Sequence, residues 1–214
     1  MNTQEVIGWL KRLASLDLGV FDDVKTNPAA TIPGVLIVAV ATLLSGLGGW
    51  LWWSLRDYGR SGDILVHSAL IGSAIAIGLW ALVWVGVVYV MLTQMFRARA
   101  YVEQLVRVMG LGSAPIALMG LMFIPGVSMA MGIAALALTF GVTCVAISTV
   151  TSAQPGQVLA ANLAGFLVWA GILTLLAQSD GSTNPHAPGI FLYNTAESLL
   201  HQATNLPTTL PTVR

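Results

Sequence analysis

The sequence has 214 residues, of which 56% are apolar, and its nine Lys+Arg balance nine Asp+Glu to a formal net charge of zero. Between Pro33 and Gln178 almost no charge appears outside two short connectors, so too little is left to cover the surface of a soluble helical domain. The chain is therefore expected to be an all-α, polytopic integral membrane protein with lipid as its solvent, and no nucleic-acid partner is expected.

The N-terminal stretch from Thr3 to Val20 places Val6, Leu10 and Leu13 on one helical face with Trp9 and Leu16 beside it, while Glu5, Lys11 and Arg12 lie elsewhere. That pattern predicts an amphipathic helix on the inner leaflet. It is too charged for the core of a signal peptide, so no cleavage is expected. Residues 1–32 thus form a cytoplasmic helix and linker, 33–177 a membrane domain, and 178–214 an exoplasmic, largely irregular tail with a short helix from Thr195 to Gln202.

A hydrocarbon core of ~30 Å is crossed by about 20 apolar residues in a helix. Five runs meet or approach that length: Pro33 to Leu55, Ile64 to Met95, Arg107 to Ile124, Val127 to Val150 and Val158 to Ala177, none with an interior Asp, Glu, Lys or Arg. Helices must carry them, because unpaired backbone groups are costly in hydrocarbon and no barrel-like alternation is present. The second run, at 32 residues, is long enough to tilt or to leave Ile64 to Ala69 at the interface, which puts His67 near a membrane surface. Turn chemistry marks the connectors. Pro125-Gly126 and Pro155-Gly156 break the later runs, Arg56 to Asp63 forms a polar loop, and Gln94 to Glu103 joins the second run to the third.

An odd number of spans puts the termini on opposite sides. Lys11, Arg12, Lys25, Arg97, Arg99 and Arg107 fall on the N-terminal side, against Arg56, Arg60 and the distant Arg214 on the other. Within about 15 to 20 positions of a span the bias persists, so the N-terminus is expected inside and the C-terminus outside. Trp50, Trp52 and Trp53 fit an interfacial aromatic belt, and Trp80 and Trp84, one turn apart, fit helix packing or lipid contact.

No catalytic constellation is legible. Cys144 stands alone inside the fourth run; His67, His186 and His201 lack ligand spacing; and no metalloprotease, nucleophile-elbow, phosphate-loop or dinucleotide motif occurs. Neither metal nor cofactor is expected. Thr139, Thr143, Ser148, Thr149 and Asn162 read as polar glue between or within helices. Gly46 and Gly49, Gly72 and Ala76, Gly132, Gly141 and Gly165 allow close helix approach, within the bundle first and between copies second.

Two stretches carry a family resemblance. Phe21-Asp22-Asp23-Val24, Asn27-Pro28-Ala29-Ala30-Thr31 and Leu43-Leu44-Ser45-Gly46-Leu47-Gly48 form the first. The second is Tyr101-Val102-Glu103-Gln104-Leu105-Val106-Arg107-Val108-Met109-Gly110, followed by Ser113-Ala114-Pro115 and Ile124-Pro125. Together they resemble the Yip (Ypt-interacting protein) membrane family, especially its bacterial branch, over about Phe21 to Leu176. The resemblance implies five spans with an inside N-terminus and a non-enzymatic membrane organiser or adaptor, in eukaryotic relatives one that binds Rab-type small GTPases. A bacterial inner-membrane location follows, with an endomembrane as the alternative. One departure is clear: the connector from Ala146 to Gln157 has no charge, where similar proteins carry a basic or aromatic one.

Glu103 and Arg107 are four apart in the favourable helical order. Arg107 reads as an interfacial anchor, its stem in lipid and its guanidinium at phosphates, with a partner-docking patch formed by Tyr101, Glu103 and Arg107 as the second reading. Pro115 should kink the third span, and Gly110 and Gly112 leave room for a neighbour. Membrane lipids and membrane-protein partners are expected. An accessory subunit of a larger complex is the alternative function, and a small-solute transporter or channel the weaker third.

Overall fold

The computed structural model describes residues 3–55, 65–124 and 126–179, with no strand among them. Pro125, the loop Arg56 to Asp63, and the C-terminal tail with His186, His201 and its expected short helix lie outside the described residues, as do the side chains of Trp53 and His67. Five helices are long and apolar enough to cross a membrane, so the protein is an all-α polytopic membrane protein.

Two short helices precede the spans. α1 (Thr3–Ala14) ends earlier than its apolar pattern suggests. The Asp17 amide donates to the Arg12 carbonyl and the Leu16 amide to that of Leu13, a Schellman closure with Leu16 at φ 61°, where glycine is usual. α2 (Val20–Thr26) then buries Val20, Phe21 and Val24. Arg12 fixes the corner by donating to Asp17 (2.7 Å) and Asp23 (2.5 Å), and its hydrogen bond holds the Asp17 carboxyl below its ordinary pKa. α1 buries Trp9 and Leu13 against the bundle.

The first span is α3 (Thr31–Ser54), entered through a 3-10 turn at Pro28–Ala30. Asn27 caps that turn, its Oδ1 accepting from the Ala29 amide at 3.0 Å. The second span, α4, runs without a break from Leu65 to Met95 but changes its winding. π-helical turns at Leu65–Ile71, Trp80–Trp84 and Met91–Met95 alternate with α-helix at Gly72–Leu79 and Val85–Val90. The third span begins as α5 (Val102–Gly112), five residues before the expected start at Arg107, and continues as 3-10 helix over Ala114–Phe123. The fourth and fifth are α6 (Ser128–Ser148) and α7 (Pro155–Ser179).

Pro115 therefore does not simply kink an α-helix. Lacking an amide proton, it sits in the first turn of a 3-10 segment, where the Ile116 amide donates to the Ser113 carbonyl at 3.0 Å and the chain continues more tightly wound. This third span is the centre of the bundle. It is 61% buried over its most apolar window, against 33 to 44% for the other four. α3 packs along it on one side and α6 on another, while α4 lies against α3 and α7, and α6 meets α7 to close the ring.

Glycine sets the distance between α3 and the third span at two heights. A Cβ on Gly110 would lie 2.6 Å from the backbone of Gly34, and one on Gly48 would lie 2.7 Å from that of Gly120. Both pairs advance in the same chain direction, so the first and third spans are parallel and cross the membrane with the same sense. Gly110, expected at a packing position, is there; a Cβ on Gly165 would lie 2.8 Å from the Trp84 carbonyl, and one on Gly112 would meet the Thr143 side chain at 3.1 Å. Gly46 is buried in α3, and backbone contacts are made by Gly34, Gly48 and Gly120, whose part in packing the spacing did not single out.

Gly110→Ala should cost at least about 2 kcal/mol, since backbone rather than a flexible side chain blocks the added methyl. Gly141→Ala, with nothing within 4 Å of its added Cβ, should be neutral or slightly stabilising. Thermal unfolding of the two variants in detergent checks the contrast.

Candidate functional site

The end of the bundle on the N-terminal side is knitted together by polar groups around Arg107. Its side chain is only 8% exposed. Nε donates to Thr31 Oγ1 at 2.8 Å, Nη1 to the Lys25 carbonyl at 3.2 Å and Nη2 to Glu103 Oε2 at 3.0 Å. The Thr31 hydroxyl in turn donates to the Pro28 carbonyl at 3.1 Å. Arg107 therefore does not reach out of lipid toward phosphates. The chain folds back over it through α2 and the Pro28 turn, and the guanidinium clamps that fold-back to the third span.

Lys25 extends the same network. Its Nζ donates to Asp22 at 2.6 Å and to the carbonyl of Thr149, at the end of α6, at 3.2 Å. A helix C-terminus leaves carbonyls without intrahelical donors, and a cation there is favourable. The two connectors on this side also pair: the Arg99 amide donates to Ser152 Oγ at 3.0 Å, and the Ser152 amide to the Arg99 carbonyl at 3.4 Å. At the opposite edge Asn27 Nδ2 donates to Glu5 at 3.3 Å, which ties α1 to the Pro28 turn.

Three residues expected to act together do share one place. Tyr101, Glu103 and Arg107, with Val102 and Gln104, line a surface depression of about 490 Å³. Their roles differ, however. Tyr101 is 67% exposed and the Glu103 side chain 81%, whereas Arg107 forms the buried wall behind them. Arg97, held at φ 54° just past the end of α4, and Arg99 are exposed on the connector leading into this surface. The stretches 21–31 and 101–110, far apart in sequence, thus form one structural unit through Arg107.

A second polar centre lies within the membrane domain. Trp84 Nε1 donates to Asn162 Oδ1 at 2.9 Å, and Asn162 Nδ2 lies within bonding reach of Thr143 Oγ1 at 2.9 Å and the Phe140 carbonyl at 3.2 Å. Trp84 also packs on Phe166 and Trp169, each with ring centroids 5.2 Å away, and Trp169 Nε1 donates to the Ala76 carbonyl at 3.2 Å. Trp80 and Trp84 are thus fully buried packing groups and do not face lipid. Thr139 and Ser148 bond their own helix, as does Thr149 just beyond its end, whereas Asn162 joins three spans. Among the described residues no group of three or more His, Cys, Asp or Glu side chains could hold a metal ion.

No protein-family model matches this chain, and neither a curated protein nor a solved structure matches it.

Removing the buried Arg107 side chain leaves the Lys25 carbonyl without its donor and takes one bond from the Thr31 hydroxyl, so Arg107→Ala should destabilise by on the order of 3 kcal/mol. Glu103→Gln, at the exposed end of the pair, should change stability by no more than about 0.5 kcal/mol. Detergent melting curves compare them directly. In the membrane centre, Trp84→Phe leaves Asn162 short of a donor, whereas the Trp80 indole N–H has no partner among the described residues. Trp84→Phe should therefore cost about 1 kcal/mol more than Trp80→Phe by the same measurement.

Proposed function

We propose that this protein is a non-enzymatic, Yip-like membrane organiser or adaptor that docks partners on its N-terminal side. The single observation behind this reading is the surface around Tyr101. A buried Arg107 network holds the backbone of α2, the Pro28 turn and α5 fixed to one another, and Arg97, Arg99, Tyr101 and Glu103 stand exposed at its edge. A preorganised patch with both charge signs and an exposed aromatic loses little freedom on binding. Parts of both stretches that resemble the Yip family, residues 21–31 and 101–110, build this unit, which further supports the reading. With the excess of Lys and Arg on that side, we place the patch in the cytoplasm of a bacterial cell, the N-terminus inside and the C-terminus outside the inner membrane.

A second reading, an accessory subunit within a larger membrane complex, is favoured by a different observation. Gly78, Gly86, Gly141 and Gly171 lie on spans with nothing within 4 Å of an added Cβ, so α4, α6 and α7 present small positions where another helix can approach.

A photoreactive amino acid placed at Tyr101 in cells tests the first reading against the second. It should yield a discrete protein adduct that Glu103→Gln diminishes while the variant retains its detergent melting temperature. Adducts formed instead from Gly141 and Gly171, with none from position 101, would replace docking by subunit packing.

A further inference from the structure

α1 packs on the bundle through Trp9 and Leu13 but does not fill the space on either side of that contact. It lies across a trough, leaving a groove on each flank. The larger, about 470 Å³, is bounded by Val6 and Leu10 of α1, by Leu36, Val40 and Leu44 of α3, and by Ala117 of the third span. The smaller, about 310 Å³, lies between Leu10 and Leu16 on one side and Pro115, Leu118 and Val142 on the other. Leu10 and Ala117 belong to both, so the helix spans the trough like a bar.

The chemistry of the lining restricts what can occupy the larger groove. Thr3 is its one polar residue, so water would find too few of the two to four partners that it needs. Empty space of that size would forfeit dispersion contacts along every wall. Leu36, Val40 and Leu44 are exposed on a helix that crosses the membrane, so the groove opens directly onto the lipid-facing surface of the first span. Hydrocarbon is the medium already in contact with it.

Charge selects among lipids. Arg12 is neutralised by Asp17 and Asp23, and Lys25 by Asp22, whereas Lys11, next to Leu10, is exposed with no carboxylate partner among the described residues. At the edge of the smaller groove, which its side chain helps to line, Leu16 is 73% exposed at the positive φ that closes α1.

We propose that the groove between α1 and α3 binds one acyl chain of an anionic phospholipid from the leaflet on the N-terminal side, with α1 as its cover and Lys11 beside the headgroup. The site uses none of the residues from Arg97 to Arg107 and stands independently of the docking surface.

The full chain reconstituted in nanodiscs with phosphatidylglycerol carrying a mid-chain diazirine tests it. After photolysis, adducts should concentrate on α1 and on residues 36–44 and exceed those at Leu82 and Leu167, which are exposed on other spans. Val40→Trp, at the exposed rim, should reduce the groove adducts several-fold and leave those at Leu82 and Leu167 unchanged; Leu36→Trp serves as a second obstruction should the first variant fail to fold. Replacing Lys11 by Gln should lower the preference for phosphatidylglycerol over phosphatidylcholine about fivefold. Adducts spread in proportion to exposure, or groove adducts indifferent to both tryptophans, would reduce the lipid to bulk solvent and overturn the proposal. Crosslinks between copies through position 40 would overturn it in favour of an interface between two chains.

Discussion

The backbone contact between the first and third spans is the constraint from which the rest of this bundle follows. Lipid offers no hydrophobic gain for pressing one apolar helix on another, so association depends on how closely the backbones can approach. Here the approach occurs twice, at Gly34 with Gly110 and at Gly48 with Gly120. The two pairs are unequally spaced along their chains. At ~1.5 Å per residue the fourteen steps from Gly34 to Gly48 rise about 21 Å, whereas ten α-helical steps from Gly110 to Gly120 would rise only about 15 Å. At ~2.0 Å per residue, the 3-10 turns of Ala114–Phe123 make up about half of that difference. Pro115, which cannot donate the α-helical hydrogen bond, sits where the winding changes, and the tighter helix lets both glycine pairs meet.

The clamp at Arg107 depends on the same contact. Arg107 lies one turn before Gly110, and Thr31 one turn before Gly34, so closing the glycine pair brings the guanidinium to the Thr31 hydroxyl. The chain before Thr31 then has a fixed starting point. α2 folds back over the clamp, presents the Lys25 carbonyl to Arg107, and sends the Lys25 ammonium on to the end of α6 at Thr149. A contact between two spans thus organises the polar end of three.

Much of this architecture was legible in the sequence, and the reason is lipid itself. Length and hydropathy are direct physical requirements for crossing a bilayer, so all five runs became helices, with boundaries shifted by a few residues at each end. The close-approach role of Gly110 and Gly112 was legible for the same kind of reason, since only small residues admit a neighbouring backbone. Arg107 was misplaced because a basic residue at the edge of an apolar run has two solutions. It can extend to headgroups, or be covered by another part of the chain, and local pattern carries no information about a segment 76 residues away. The contacts of Gly34, Gly48 and Gly120 are not legible in the sequence, because glycine is abundant in these spans and its partner is set by relative height, which the winding of Ala114–Phe123 alters. The amphipathic pattern through Val20 concealed the break at Leu16, where a residue with no preference for positive φ adopts it.

The two polar centres solve one problem in different media. At the Arg107 end, water is near and charge is tolerable, so a cation with three different acceptors can bind the fold-back to the spans while Glu103 remains in solvent. Deeper in, a charge would be costly, and Asn162 performs the joining with neutral groups, its Oδ1 accepting a hydrogen bond from Trp84 and its Nδ2 reaching Thr143 and the Phe140 carbonyl. Each is specific because its donors would otherwise be unsatisfied in a poorly hydrated place. α1 is anchored differently from either, by an Arg12 corner and a Glu5–Asn27 bond at its periphery and by Trp9 and Leu13 at its base. The larger groove beside it is lined by apolar side chains apart from Thr3, so this is where the bundle can admit a lipid chain without breaking the contacts that hold its spans together.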